Sequence, residues 1–171
     1  TNGMSLQLVD AAQDNSRVAN WQTKPTVTNI YNPVPQWVYV TQTGTLPGNA
    51  TRIYLYLGSA GEIYIDDMTL VSGSVPGSGA NLLINGAFES ALSGTWTVST
   101  DFATSTLSTA VKHSGNSSLR LIATAAGGGN GDSIQQDFAA TLPSGGTYTL
   151  SFWHLQNSSG NPLVARLNNS T

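Results

Sequence analysis

The chain has 171 residues, a formal net charge of -3 and only 9% charged residues, against about 25% in an average globular protein. Six Lys and Arg cannot build the cationic patch that nucleic acid requires, apolar runs of four or five residues cannot span a bilayer, and the lack of cysteine excludes disulfide and thiolate chemistry. Instead, 20 Thr, 20 Ser, 18 Gly and 14 Asn form the polar surface, and 39% hydrophobic content with 4 Trp, 6 Tyr and 4 Phe is enough for a packed core. A charge-poor surface of this kind is typical of bacterial secreted or surface-layer chains, so an extracellular, cell-surface location is expected. The chain opens at Thr1 without a signal peptide, and is expected to be a processed product or a fragment of something longer.

Strand periodicity runs through the sequence. SLQLV (5–9) comes first, and AAQDNSRVANW leaves room for a helical turn or two at most. QWVYVTQT (36–43), RIYLYLG (52–58) and EIYIDDMTLV (62–71) read as further strands. VSGSVPGSGA (71–80) is a small-residue linker. Beyond it, SLRL (118–121), YTLSFWHL (148–155) and PLVARL (162–167) alternate again, with Tyr148, Leu150 and Phe152 on one face and Trp153 on the other. The turn clusters LPGNAT, GSAGE, HSGNSS, AAGGGNGD, LPSGGT and NSSGNP separate these runs. Short strands at roughly ten-residue spacing predict an all-β antiparallel sandwich or jelly roll.

NLLINGAFES from Asn81, then Trp96, VKHSGNSSLRL (111–121) and TYTLSFW (147–153) resemble the opening of the galactose-binding-like jelly rolls that include many carbohydrate-binding modules. The closing signature of that family resembles EIYIDDMTL (62–70), preceded by PQWVYV and TRIYLYL. Here it stands before the opening motif, so the halves run in permuted order. The resemblance therefore divides the chain into 1–73 as the C-terminal half of a module, 74–80 as a linker and 81–171 as the N-terminal half. Three arrangements satisfy that order: a circularly permuted domain, completion by a neighbouring chain, or one period of a tandem array. Each half alone leaves strand edges and an apolar face uncovered, and head-to-tail completion propagates into a fibre.

In the resembled family, the Glu of the opening motif and an Asp of the final strand hold a structural Ca²⁺ with nearby carbonyls. That resemblance implies Glu89, Asp66 or Asp67, and the main chain from Lys112 to Ser114 as ligands, hard oxygens of the type calcium takes. Asp10, Asp14, Asp101, Asp132 and Asp137 lie in loop-like contexts and read as turn formers. His113 and His154 read as structural. No paired carboxylates or nucleophile with an oriented base emerge, so no enzyme is expected.

Sugar sites combine exposed aromatic faces with planar hydrogen-bonding groups. Trp153, Arg120, Arg166, Trp21 and Tyr31 are the candidates. Trp37 and Trp96 match positions that are core in the resembled family and are set aside. The leading expectation is a non-catalytic extracellular repeat that builds a surface fibre or giant adhesin-like protein with copies of itself. The alternative is a carbohydrate-binding module of a secreted glycan-processing protein.

Overall fold

The computed structural model describes residues 5–8, 21–24, 36–156 and 162–169. The chain divides into two compact units, Thr1–Val34 and Pro35–Thr171. In the first, β1 (Ser5–Leu8) pairs antiparallel with β2 (Trp21–Lys24), placing Leu8 opposite Trp21. The span expected to hold a helical turn lies outside the described residues.

Among the described residues, the second unit builds two antiparallel sheets. One contains five strands in the order β3 (Val38–Thr45), β10 (Thr147–Gln156), β5 (Gly61–Ser72), β8 (Ser118–Ala123) and β7 (Thr106–Ser108). The other contains four, in the order β11 (Leu163–Leu167), β4 (Ala50–Leu57), β9 (Ile134–Leu142) and β6 (Thr97–Val98). The chain is thus an all-β sandwich. None of its described segments is a helix long and apolar enough to cross a membrane.

Alternation explains the layers. Ile63 and Ile65 of β5 stand in register with Leu121 and Leu119 of β8, and all four are buried in one core. Ile53, Leu55 and Leu57 of β4, with Ile134 of β9, supply the apolar surface of the second sheet to that core. Cross-strand partners share a face, so the residues between them point outward from each sheet.

Strands β4 and β5, from residues 50–72, lie between strands from residues 118–167. In the first sheet β5 sits between β10 and β8; in the second β4 sits between β11 and β9. Each of these segments fills a place that the other leaves open, within one chain.

The stretch at 81–89 locks this arrangement. The Asn81 side chain pairs with β5 as a strand would: its Oδ1 accepts from Leu70 N (2.9 Å) and its amide donates to the Met68 carbonyl (3.1 Å). Met68 N donates to Gly86 O at 2.9 Å. A Cβ at residue 86 would overlap the Met68 carbonyl oxygen, so glycine is required there. Phe88, with φ of 52°, is fully buried and packs on Trp96 with ring centroids 5.7 Å apart. From the other sheet, the buried Gln136 amide holds both backbone groups of Ile84, at 2.9 and 2.8 Å. The motif therefore staples both sheets together at one end.

β9 was not expected from the sequence. Its inward position 136 is a glutamine, which breaks the apolar alternation that periodicity detects. Asp137 is a correction of the same kind. It lies within β9 rather than in a turn, and forms an ion pair with Arg52 opposite it on β4.

Gly86→Ala is expected to destabilise the fold by about 2 kcal/mol or more, because the obstructing atom is backbone and cannot swing aside. Asn81→Ala is expected to cost about 1–3 kcal/mol, through the β5 backbone groups it strands. Urea unfolding of both variants measures these losses.

Candidate functional site

The outer face of the five-stranded sheet carries side chains that the core does not explain. Trp153 of β10 stands opposite Tyr39 of β3, and Leu155 opposite Tyr64 of β5. Tyr64 in turn stands opposite Arg120 of β8. Register thus brings these side chains onto one surface, opposite the core-facing Phe152, Ile65 and Leu119.

An aromatic cluster forms one end of this surface. The Tyr39 and Trp153 rings lie 5.1 Å apart at 45°. His113 stacks on Trp153 at 4.0 Å and 15°, and Trp37 meets His113 edge-on at 5.6 Å. Tyr39 is 44% exposed. Beside the cluster, the Arg120 guanidinium donates to Glu62 Oε2. Burial, then the hydrogen bond to Glu62, pushes the Tyr64 phenol above its ordinary range and keeps it a neutral donor. Towards the opposite end, hydroxyls pair across strands: Thr43 with Thr149 and Thr69 with Ser151, each at 2.8 Å.

The three acidic candidates all grip the turn that carries His113. Asp66, fully buried, accepts from Asp67 N at 2.8 Å, His113 N at 2.8 Å and Ser114 N at 3.1 Å. Burial raises its pKa, opposed by these backbone donors. Asp67, in a left-handed conformation (φ 50°), accepts the Ser114 hydroxyl at 2.7 Å and lies 2.7 Å from His113 Nδ1. Glu89 accepts from Asn116 N at 2.9 Å and Ser117 N at 3.3 Å. Those donors hold its carboxyl below the usual range. Gly115 has φ of 58°, and a Cβ there would overlap the Glu89 carboxylate, which explains the glycine of the HSG sequence.

In this arrangement every oxygen of the three carboxylates faces an N–H, an O–H or the imidazole, so the grip on the turn is made by hydrogen bonds. Among the described residues, no three acidic or histidine side chains gather closely enough to share a metal. The carboxylates instead satisfy the turn's backbone directly, as strong charge-assisted acceptors. Ser114 and His113 both bond to Asp67 rather than to each other.

Of the sequence-derived sugar candidates, Trp153 and Arg120 share the outer face. Arg166 belongs to the other sheet, where it lies over Tyr54 and Tyr56 and donates to the Gly128 carbonyl at 3.0 Å. Tyr31 and the Trp21 side chain lie outside the described residues. Trp96 is core as expected, but Trp37 is not: it is half-buried and packs on His113. Tyr39 and Tyr64 were not singled out in the sequence. The signal for Tyr39 was its two-residue spacing from Trp37 in WVY, which puts both rings on one side of a strand.

A family model described as a carbohydrate binding domain matches residues 80–168, just over half of the chain. The chain belongs to that family. Searches of curated proteins and of solved structures each gave no match. The family match covers β6 to β11.

Two measurements follow. Chelator is expected to leave the melting temperature unchanged, whereas Glu89→Ala is expected to lower it by exposing the Asn116 and Ser117 donors; differential scanning calorimetry reads both. His154 gives a pH dependence. It packs beside Phe152, its Nδ1 is buried without a hydrogen-bond partner, and burial lowers its pKa from 6.5. The unfolded chain then binds this proton more readily, so stability contributed by neutral His154 is full above about pH 6.5 and declines as pH falls below it. His154→Gln is expected to flatten that decline in melting temperature between pH 7 and 5.

Proposed function

We propose that this chain is a non-catalytic carbohydrate-binding module whose ligand lies across the outer face of the five-stranded sheet. One observation carries the reading: Trp37, Tyr39 and Trp153 cluster on a face turned away from the core, beside the planar Arg120–Glu62 pair. A pyranose ring has one largely apolar C–H face and an equatorial rim of hydroxyls. The aromatic rings suit the first and the guanidinium, carboxylate and phenol suit the second.

The strand order supports a permuted module. β3, β4 and β5 enter both sheets beside strands of the family-matched segment. In this reading 1–73 contains the closing half, 74–80 links it and 81–171 contains the opening half. Strand completion by a neighbouring unit was the basis for a fibre. Its supply within the chain favours ligand binding over self-assembly. An extracellular setting, where polysaccharide is met, accords with the charge-poor surface.

Affinity electrophoresis against a panel of soluble plant and microbial polysaccharides tests the reading. The wild type is expected to be retarded by at least one of them. Tyr39→Ala and Trp153→Ala are each expected to weaken binding by about 1–3 kcal/mol, the scale of one stacked ring, while Arg166→Ala leaves retardation unchanged. Equal retardation of all four proteins would exclude this face as the site.

A further inference from the structure

We propose that His113 is an internal competitor for the sugar-stacking face of Trp153, so that a glycan ring reaches that face only by displacing the imidazole. The proposal rests on the carbohydrate-binding reading of the outer face and identifies what sets affinity there.

A sugar bound to an indole lies parallel to it at van der Waals distance. The His113 ring already occupies that position, 4.0 Å from Trp153 and inclined by 15°. Its other flank meets Trp37 at 5.6 Å and 68°, so the imidazole is held between two indoles. Nδ1 is tied to Asp67 Oδ2 at 2.7 Å. Stack, flank and hydrogen bond together place a planar polar ring where a ligand's ring would go.

The turn beneath His113 cannot follow the ring outward. Its backbone N–H groups at 113 and 114 donate to buried Asp66, and those at 116 and 117 to Glu89. Displacement is therefore a rotation of the His113 side chain alone. It breaks one aromatic stack and one charge-assisted hydrogen bond, while the backbone clamp persists.

That cost discriminates by ligand length. A monosaccharide offers Trp153 one stack in exchange for the stack it removes. An oligosaccharide that also covers exposed Tyr39 and reaches the Arg120–Glu62 pair adds contacts that the imidazole does not compete for. His113 is thus a specificity-determining residue that selects glycan chains over free sugars.

The test is NMR and calorimetric titration of the wild type, His113→Ala and Asp67→Asn with xylose, glucose and the β-1,4-linked hexasaccharides of xylose, glucose and mannose. In the wild type, the His113 ring protons are expected upfield from stacking, and to move to ordinary positions as a hexasaccharide binds. His113→Ala is expected to bind hexasaccharide at least about fivefold tighter, since a stack and a charge-assisted hydrogen bond need no longer be broken. It is also expected to gain measurable monosaccharide binding. Asp67→Asn is expected to show a smaller gain in the same direction. The wild-type ring shifts need no variant, so they report even where a substitution unfolds the protein. A hexasaccharide that perturbs Tyr39 and Trp153 while the His113 protons stay upfield would overturn the competitor role and leave the carbohydrate reading standing. So would a His113→Ala protein that binds no tighter. If no sugar perturbs this face in any of the three proteins, the carbohydrate reading of the face falls, and the competitor role with it.

Discussion

A buried carboxylate organises this molecule. Asp66 lies fully buried in β5, and it takes hydrogen bonds from the backbone of Asp67, His113 and Ser114. An ionised group in such a place is costly unless donors surround it. Burial does push its pKa upward, but the donors pull against that shift. The consequence is mechanical as well as electrostatic. The carboxylate joins a central strand to the turn at 113–117, and that turn delivers His113 to the aromatic face. The strand also changes register here: Trp153 stands opposite Asp66, whereas Ser151 stands opposite Thr69. This irregularity lets one short segment carry a buried Asp66 followed by a half-exposed Asp67. The two acids then hold different parts of the same turn, Asp66 its backbone and Asp67 its side chains.

β5 is equally central to the order of the sheet. It lies between β10 and β8, and its Met68 and Leu70 backbone groups meet the stretch at 81–89. Strand and staple are separated by a short run of small residues, so they reach one another with little loop to close. Pairing between β3 and β10, by contrast, joins residues about a hundred positions apart. A fold with many such distant pairings is expected to form slowly compared with one built from neighbouring hairpins.

Much of the architecture was legible because β-sandwich strands announce themselves by alternation. YTLSFWHL and RIYLYLG place branched or aromatic residues at every second position, EIYIDDMTLV does so up to Ile65, and each became a strand with nearly the expected limits. β9 was hidden because Gln136 occupies an inward position, where its amide serves the Ile84 backbone instead of the apolar core. β6 and β7 were hidden for a different reason: two or three residues are too few to show a period. The motif at 81–89 was recognisable by likeness, but its purpose emerged only from contacts. Asn81, Gly86 and Phe88 respectively imitate a strand, clear a carbonyl and fill the core.

The site was less legible because a tryptophan's letter does not say which way its ring faces. Trp37 and Trp96 both resembled core positions, yet only Trp96 is enclosed, against Phe88. Trp37 lies just before edge strand β3, whose residues are largely exposed. Its ring partner among the described residues is His113, brought from a turn more than seventy residues away. No periodicity within β3 could reveal that neighbour. On the proposed carbohydrate-binding reading, a chain with so few charges would build its binding surface mostly from rings. Among the basic residues with described side chains, Arg52, Arg120 and Arg166 are bonded to Asp137, Glu62 and Gly128, and Lys112 reaches the carbonyls of Thr109 and Asn116. The outer face therefore presents aromatic area and fixed polar edges, with Arg120 and Glu62 paired to each other. On the proposed carbohydrate-binding reading, recognition here would turn on how a sugar ring fits against indole and phenol, and the imidazole stacked on Trp153 would set the cost of that fit.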